Sequence, residues 1–239
     1  MSSVDEKFRK VRIDQSPYLF HFTSGTYEDA KAKMYNILDT KKLISGSDVI
    51  CFTASPITAI LDFFKTPVRS TGLPMYQPFG IGFSRDLLIK DYGARNVIYS
   101  SEIELSSLPP DLKWRSLRLD VGQCDFEYLR EWRVHRSEFD FSSFPKEQIL
   151  IVAPTPKDLN DLIVAHDVVL RPVDTYDSVE LEAEEAFLRS YRGMSVDEIS
   201  SEKSDYAVSE SASSQTIGED MINSLVRSHF WFLEERDKK

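Results

Sequence analysis

The sequence predicts an α+β fold: a mixed, mostly antiparallel sheet with flanking helices. Strand-like and helical patterns mix along the chain without the regular strand–helix–strand repetition of a doubly wound sheet. With 41% apolar residues among 239, the chain can bury a substantial core. No run of about 18 apolar residues offers a membrane span.

Residues 17–23 are aromatic and β-branched and read as a strand ended by Gly25. Thr26 and Asp29 have the spacing of a capping box, so a helix is expected to about Thr40. Its apolar face is Tyr27, Ala30, Met34, Ile37 and Leu38. Ser45 to Ser47 is a turn, Val49 to Thr53 a buried strand, and Ser55-Pro56 a helix start followed by Ile57, Ile60, Leu61 and Phe64. The stretch 65–78 holds three prolines and a glycine and reads as a long loop of the kind that often carries function.

Phe79 to Phe83 is expected as a strand, crowded at Gly80 and Gly82. A short helix at 85–91 and strands at 96–99, 131–135 and 148–153 follow, then a helix at 157–163 and a last strand at 168–170. These elements form one predicted domain over 1–173.

The net charge of −10 has one source. Residues 174–220 hold thirteen acidic and three basic side chains, and the remainder is balanced. That balance lowers the expectation of a nucleic-acid binder. A charged helix fits 179–189. The Ser- and Glu-rich stretch to 217 reads as a partly disordered linker, and 218–239 as an amphipathic helix with Ile222, Leu225, Val226 and Leu233 on its apolar side. The N-terminus lacks the apolar core of a secretory signal, so a cytoplasmic protein is expected. Cys51 and Cys124 then read as free, buried thiols.

Several chemistries lack their residues. Arg85 stands where a dinucleotide fingerprint built on Gly80 and Gly82 needs its third glycine, and no phosphate loop is present. Cys/His spacing suggests no metal site, and the absence of an acidic metal cluster disfavours a nuclease. Two features remain. His21 sits between Phe20 and Phe22, where it can serve either as a core histidine bonded to backbone or as a ligand-binding group. Read as a strand, residues 126–134 put Glu127, Leu129, Glu131 and Arg133 on one face, either as a surface ion-pair ladder or lining a polar cleft.

His-Phe-Thr on a first strand followed by a helix resembles the start of ADP-ribosyltransferase-like folds. These include the poly(ADP-ribose) polymerase class, tRNA 2′-phosphotransferases and DNA-targeting toxins. The ordered set Ile50 to Ile57, Phe79 to Ser84, Gly93 to Tyr99 and Arg130 to Arg133 is similar in order and spacing to AbiGi-type abortive phage-resistance proteins, over roughly residues 17–155. The resemblance implies NAD as substrate. His21 would hold the nicotinamide ribose, with Phe22, Thr23 and Ser24 beside it. Glu131 would be catalytic, with Glu127 as its competitor. Arg85 or Arg133 would hold the pyrophosphate, and Tyr99 would stack on nicotinamide or serve as a buried strand tyrosine. The expected activity is transfer of ADP-ribose to a macromolecular acceptor by a bacterial toxin, toxin–antitoxin or phage-defence protein. The alternative is a catalytically inactive interaction module, an antitoxin or phage-factor sensor, that uses the acidic segment and C-terminal helix to bind a protein partner.

Overall fold

The computed structural model describes residues 16–68, 72–120, 126–167 and 192–197. It is a mixed helix and sheet structure of the α+β class. Strand β1 (Tyr18–Phe22) leads into α1 (Tyr27–Thr40), then β2 (Lys42–Ile44) and β3 (Ile50–Thr53). A short helix α2 (Ile57–Ile60) runs on as a 3-10 turn to Phe64. Next come β4 (Gly80–Ser84), α3 (Arg85–Asp91), β5 (Arg95–Asn96), β6 (Ile98–Ser100), α4 (Glu102–Ser107) and β7 (Ser116–Arg118). The series closes with β8 (Glu131–Val134), β9 (Glu138–Asp140), β10 (Ile149–Ala153), α5 (Pro156–Asp167) and β11 (Arg192–Ser195).

Among the described residues, seven strands form the main sheet in the order β11-β10-β4-β1-β3-β8-β5. Its ladders are antiparallel except β10 with β11, which is parallel. Two small ladders, β2 with β9 and β6 with β7, stand apart. Both faces of the main sheet are apolar at strands β1, β4 and β10. One packs Leu19, Ile81 and Phe83 under Ala30, Met34 and Leu38 of α1. The other packs Phe20, Phe22, Leu150 and Val152 against Ile57, Ile60, Leu61 and Phe64. Gly80 and Gly82 make this second face possible: a Cβ at either would lie 2.5 Å from the ring of Phe22 or Phe20. The crowding expected from sequence is therefore an aromatic ring laid across each glycine.

Helix α1 starts as its sequence predicts, with both capping-box bonds between Thr26 and Asp29 present. Its far side is tied to α5 through Asp158, which is only 5% exposed. Thr155 Oγ1 donates to this carboxylate at 2.6 Å, Tyr27 OH at 2.5 Å and Lys31 Nζ at 2.6 Å. Burial works to raise the Asp158 pKa, but these three donors outweigh it and hold the group below its ordinary value. An unfolded aspartate titrates near pH ~4. The unfolded chain therefore binds the proton first on acidification. The contribution of Asp158 is fully present above that pH and is lost as pH falls toward the lower folded value. Urea denaturation across pH 2–6 is expected to show a steeper acid loss of stability in the native protein than in Asp158→Asn. Equal slopes would remove Asp158 from the acid limb.

The structure also departs from the sequence reading. The strand expected at 131–135 forms as β8, but the strand face read over 126–134 does not extend back to Glu127, because residues 127–129 form a 3-10 turn and Arg130 is left-handed at φ 45°. The strand expected at 96–99 is split into β5 and β6 around Val97. Residues 192–197 fall within the expected linker, yet 192–195 pair with β10, and Ser195 and Val196 are buried. The strand at 168–170, the helices at 179–189 and 218–239, and Cys124 lie outside the described residues. Among the described residues, no helix is long and apolar enough to cross a membrane.

Candidate functional site

The site forms where β1 and β3 part. These strands share one register pair, Phe20 with Thr53, whereas β1 and β4 share five. Beyond that pair the Cys51 carbonyl is taken by a side chain, with His21 Nδ1 2.9 Å away. A carbonyl only accepts, so Nδ1 carries the proton and Nε2 of the neutral ring is left as an acceptor. Desolvation lowers the His21 pKa against the opposing pull of the Cys51 carbonyl, which favours that neutral ring.

The pairs Thr53 with Glu131 and Cys51 with Arg133 put four polar or titratable side chains on one face of β3 and β8. Phe20 and Phe22 share that face through the Phe20–Thr53 pair. His21 belongs by alternation to the other face, where its ring lies edge-on to Phe52 with centroids 6.1 Å apart. A cavity of about 130 Å³ has both His21 and Glu131 among its lining residues. Phe20, Phe22, Phe63, Phe64 and Tyr76 supply aromatic lining. Tyr128 stacks on Phe63 at 4.3 Å, adding an outer layer beside the cavity. Cavities of roughly this volume hold one six-membered ring, whereas pockets for whole cofactors are several times larger. A cavity of this size has room for one ring.

Glu131 is neither on open surface nor alone. Its Oε1 accepts from Arg133 Nε at 2.7 Å, and the two side chains are 12% and 14% exposed. The other end of the guanidinium is also engaged, with Arg133 Nη1 donating to the Trp114 carbonyl at 3.0 Å and the Ser116 carbonyl at 3.1 Å. Arg133 is thus a brace for the carboxylate, and its pyrophosphate role loses its geometric basis. Cys51 is exposed, not a buried core thiol as its sequence context suggests. Desolvation of its sulfur and the adjacent Glu131 carboxylate push the thiol up to about 12, so it stays protonated.

The other sequence candidates scatter. Phe22 lines the cavity. Thr23 does not, since its buried hydroxyl is placed between the carbonyls of Ala30 and Phe79, at 3.1 Å from each. The Ser24 carbonyl accepts from Lys33 at 2.7 Å, and Ser24 is outside the lining. Arg85 lies 5.1 Å over the Trp132 ring, and Trp132 alternates with Glu131 and Arg133 onto the opposite face. Tyr99 is not in the lining either: its hydroxyl contacts the backbone of Phe126 and Glu131. Glu127 sits exposed on the 3-10 turn and is outside the cavity lining, which includes Glu131. Sequence reasoning missed Phe63 and Tyr76. The signal for Tyr76 was present, because it lies in the long loop marked as functional.

Comparison of the chain with protein-family models, curated proteins and solved structures returns no match.

Proposed function

We propose that this chain is an NAD-consuming, ADP-ribosyltransferase-like protein of a bacterial toxin or phage-defence system, acting on a macromolecular acceptor. The observation that supports it best is the meeting of His21 and Glu131 on one aromatic-walled cavity of single-ring size. Nicotinamide is a flat ring that suits such walls. The Nε2 acceptor of neutral His21 suits a ribose hydroxyl, which donates. Breaking the bond from C1 of the ribose to nicotinamide sends the electron pair out with nicotinamide and leaves an oxocarbenium-like cation. The Glu131 carboxylate, kept in place by Arg133, stabilises that charge. The acceptor's nucleophile then bonds to C1 and releases its proton.

Titration of the full chain with NAD by calorimetry tests the binding half. Binding is expected, and His21→Ala is expected to weaken it by about tenfold, the worth of one net hydrogen bond inside a dry site. Absence of any heat or competition at millimolar NAD would overturn the reading in favour of a non-enzymatic binding module.

A further inference from the structure

The short segment 126–131 is held more completely than a connecting turn requires. The Phe126 carbonyl accepts from Tyr99 OH at 3.1 Å, and the Glu127 carbonyl from Arg130 N–H at 2.9 Å. The Tyr128 carbonyl accepts from Ser55 Oγ at 2.5 Å, and the Leu129 carbonyl from Thr53 Oγ1. The Arg130 carbonyl accepts from Ala54 N–H at 3.2 Å, and the Glu131 carbonyl from Val97 N–H at 2.8 Å. Six consecutive carbonyls are satisfied, three of them by Thr53, Ala54 and Ser55 in succession.

Within this frame Arg130 adopts φ 45° and ψ 54°, a left-handed conformation that costs a non-glycine residue about 1–2 kcal/mol. Such a conformation persists where its surroundings over-determine it. Its position is telling, immediately before Glu131. A residue in the extended region there would carry the strand back through 126–130 and re-aim the chain entering β8.

Tyr99 is the group that closes the frame. Its hydroxyl donates to the Phe126 carbonyl and accepts from the Glu131 N–H at 3.3 Å, so one oxygen joins both ends of the turn. The phenol can fill both roles only while protonated, and burial raises its pKa in that direction. We propose that Tyr99 is a positioning residue for Glu131: by locking the ends of the left-handed turn, it fixes the carboxylate in the cavity wall without itself touching the ligand. This inference rests on the proposed role of Glu131 in NAD chemistry.

The test is Tyr99→Phe in the full chain, which removes one oxygen and leaves the ring packing. Nicotinamide release is expected to lose about tenfold to hundredfold in kcat, because small misplacements of a reacting group have effects of that size. KM is expected to stay within about twofold, as the cavity lining is untouched, with thermal stability within a few degrees of native. An unchanged kcat, or a rise in KM that accounts for the whole loss, would overturn the proposal. A second readout separates this from failure of the NAD reading. In protein carrying ¹³C-labelled glutamate carboxyls, the Glu131 signal is assigned by its disappearance in Glu131→Gln. Its chemical shift is expected to move in Tyr99→Phe. If native protein releases no nicotinamide but the shift moves, the NAD reading fails and the positioning role stands. If the shift is unchanged, the positioning role fails whatever the turnover.

Discussion

Glu131→Gln is expected to lower nicotinamide release from NAD by about 10²–10³-fold, the range seen when one pre-placed electrostatic group is removed from a developing charge. The substitution keeps the shape of the side chain and an amide oxygen that still accepts from Arg133. It removes the negative charge that the proposed oxocarbenium-like transition state needs. The structural cost is bounded by the same geometry. Arg133 loses its anionic partner but retains the Trp114 and Ser116 carbonyls. A loss of about 1–2 kcal/mol is therefore expected, far less than when a buried charge loses every partner. In a domain of this size that lowers the melting temperature by only a few degrees. Rate and melting temperature measured on the same preparation separate the two effects. Native turnover in the variant would remove Glu131 from the chemistry. A collapsed melting temperature would place its main role in structure.

Phe83→Ala has the largest expected effect on stability, about 3–5 kcal/mol. Phe83 is 0% exposed. Its ring meets those of Phe139, Phe141 and Phe144 edge-on at 5.1, 5.2 and 5.4 Å, and that of Phe52 at 6.2 Å. These partners come from β3, from β9 and from the segment after it, so the ring ties the main sheet to the β2–β9 ladder. Deleting it leaves a cavity walled by rings that cannot collapse without losing their own contacts. Net stabilities of domains lie near 5–15 kcal/mol, so the change removes a large share. Equilibrium urea denaturation is the measurement. A loss under about 1 kcal/mol would mean that the cluster repacks around the gap.

Much of the fold was legible because its signals are local. Thr26 and Asp29 announce the start of α1, and Ala30, Met34 and Leu38 mark its buried face. Ile149 to Ala153 is apolar throughout, as a strand covered on both sides must be. The three-residue strands β2 and β9 are too short to establish a period, and their pairing is set by distant partners. The turn before β8 is the instructive gap. The strand from Glu131 was legible, but nothing marks position 130 as left-handed, since no glycine or asparagine stands there. Only the bonds from Thr53, Ala54, Ser55 and Tyr99 select that conformation, and they come from elsewhere in the chain.

The candidate site was legible in its polar pair and not in its walls. His21 and Glu131 stand out by residue type. Thr23 and Ser24 were grouped with His21 through proximity in sequence, but the chain turns at Gly25 and carries them toward α1. Phe63 and Tyr76 come from the two ends of a loop region and meet only in three dimensions. The acidic composition of 174–220 likewise hid β11, because average charge over a long stretch says little about four residues that join a sheet.

The late arrival of β11 bears on how the protein is made. Leu150 pairs with Arg192 and Ala153 with Ser195, so the outer edge of β10 waits for chain well beyond α5. Synthesis proceeds at about 5–20 residues per second. For some seconds, each nascent molecule therefore carries an all-apolar strand, Ile149 to Ala153, with one row of backbone donors and acceptors open. An unpaired apolar edge is a template for other chains. The few residues of β11 act as its protective seal, and on the ribosome that seal is the last of the described strands to be delivered.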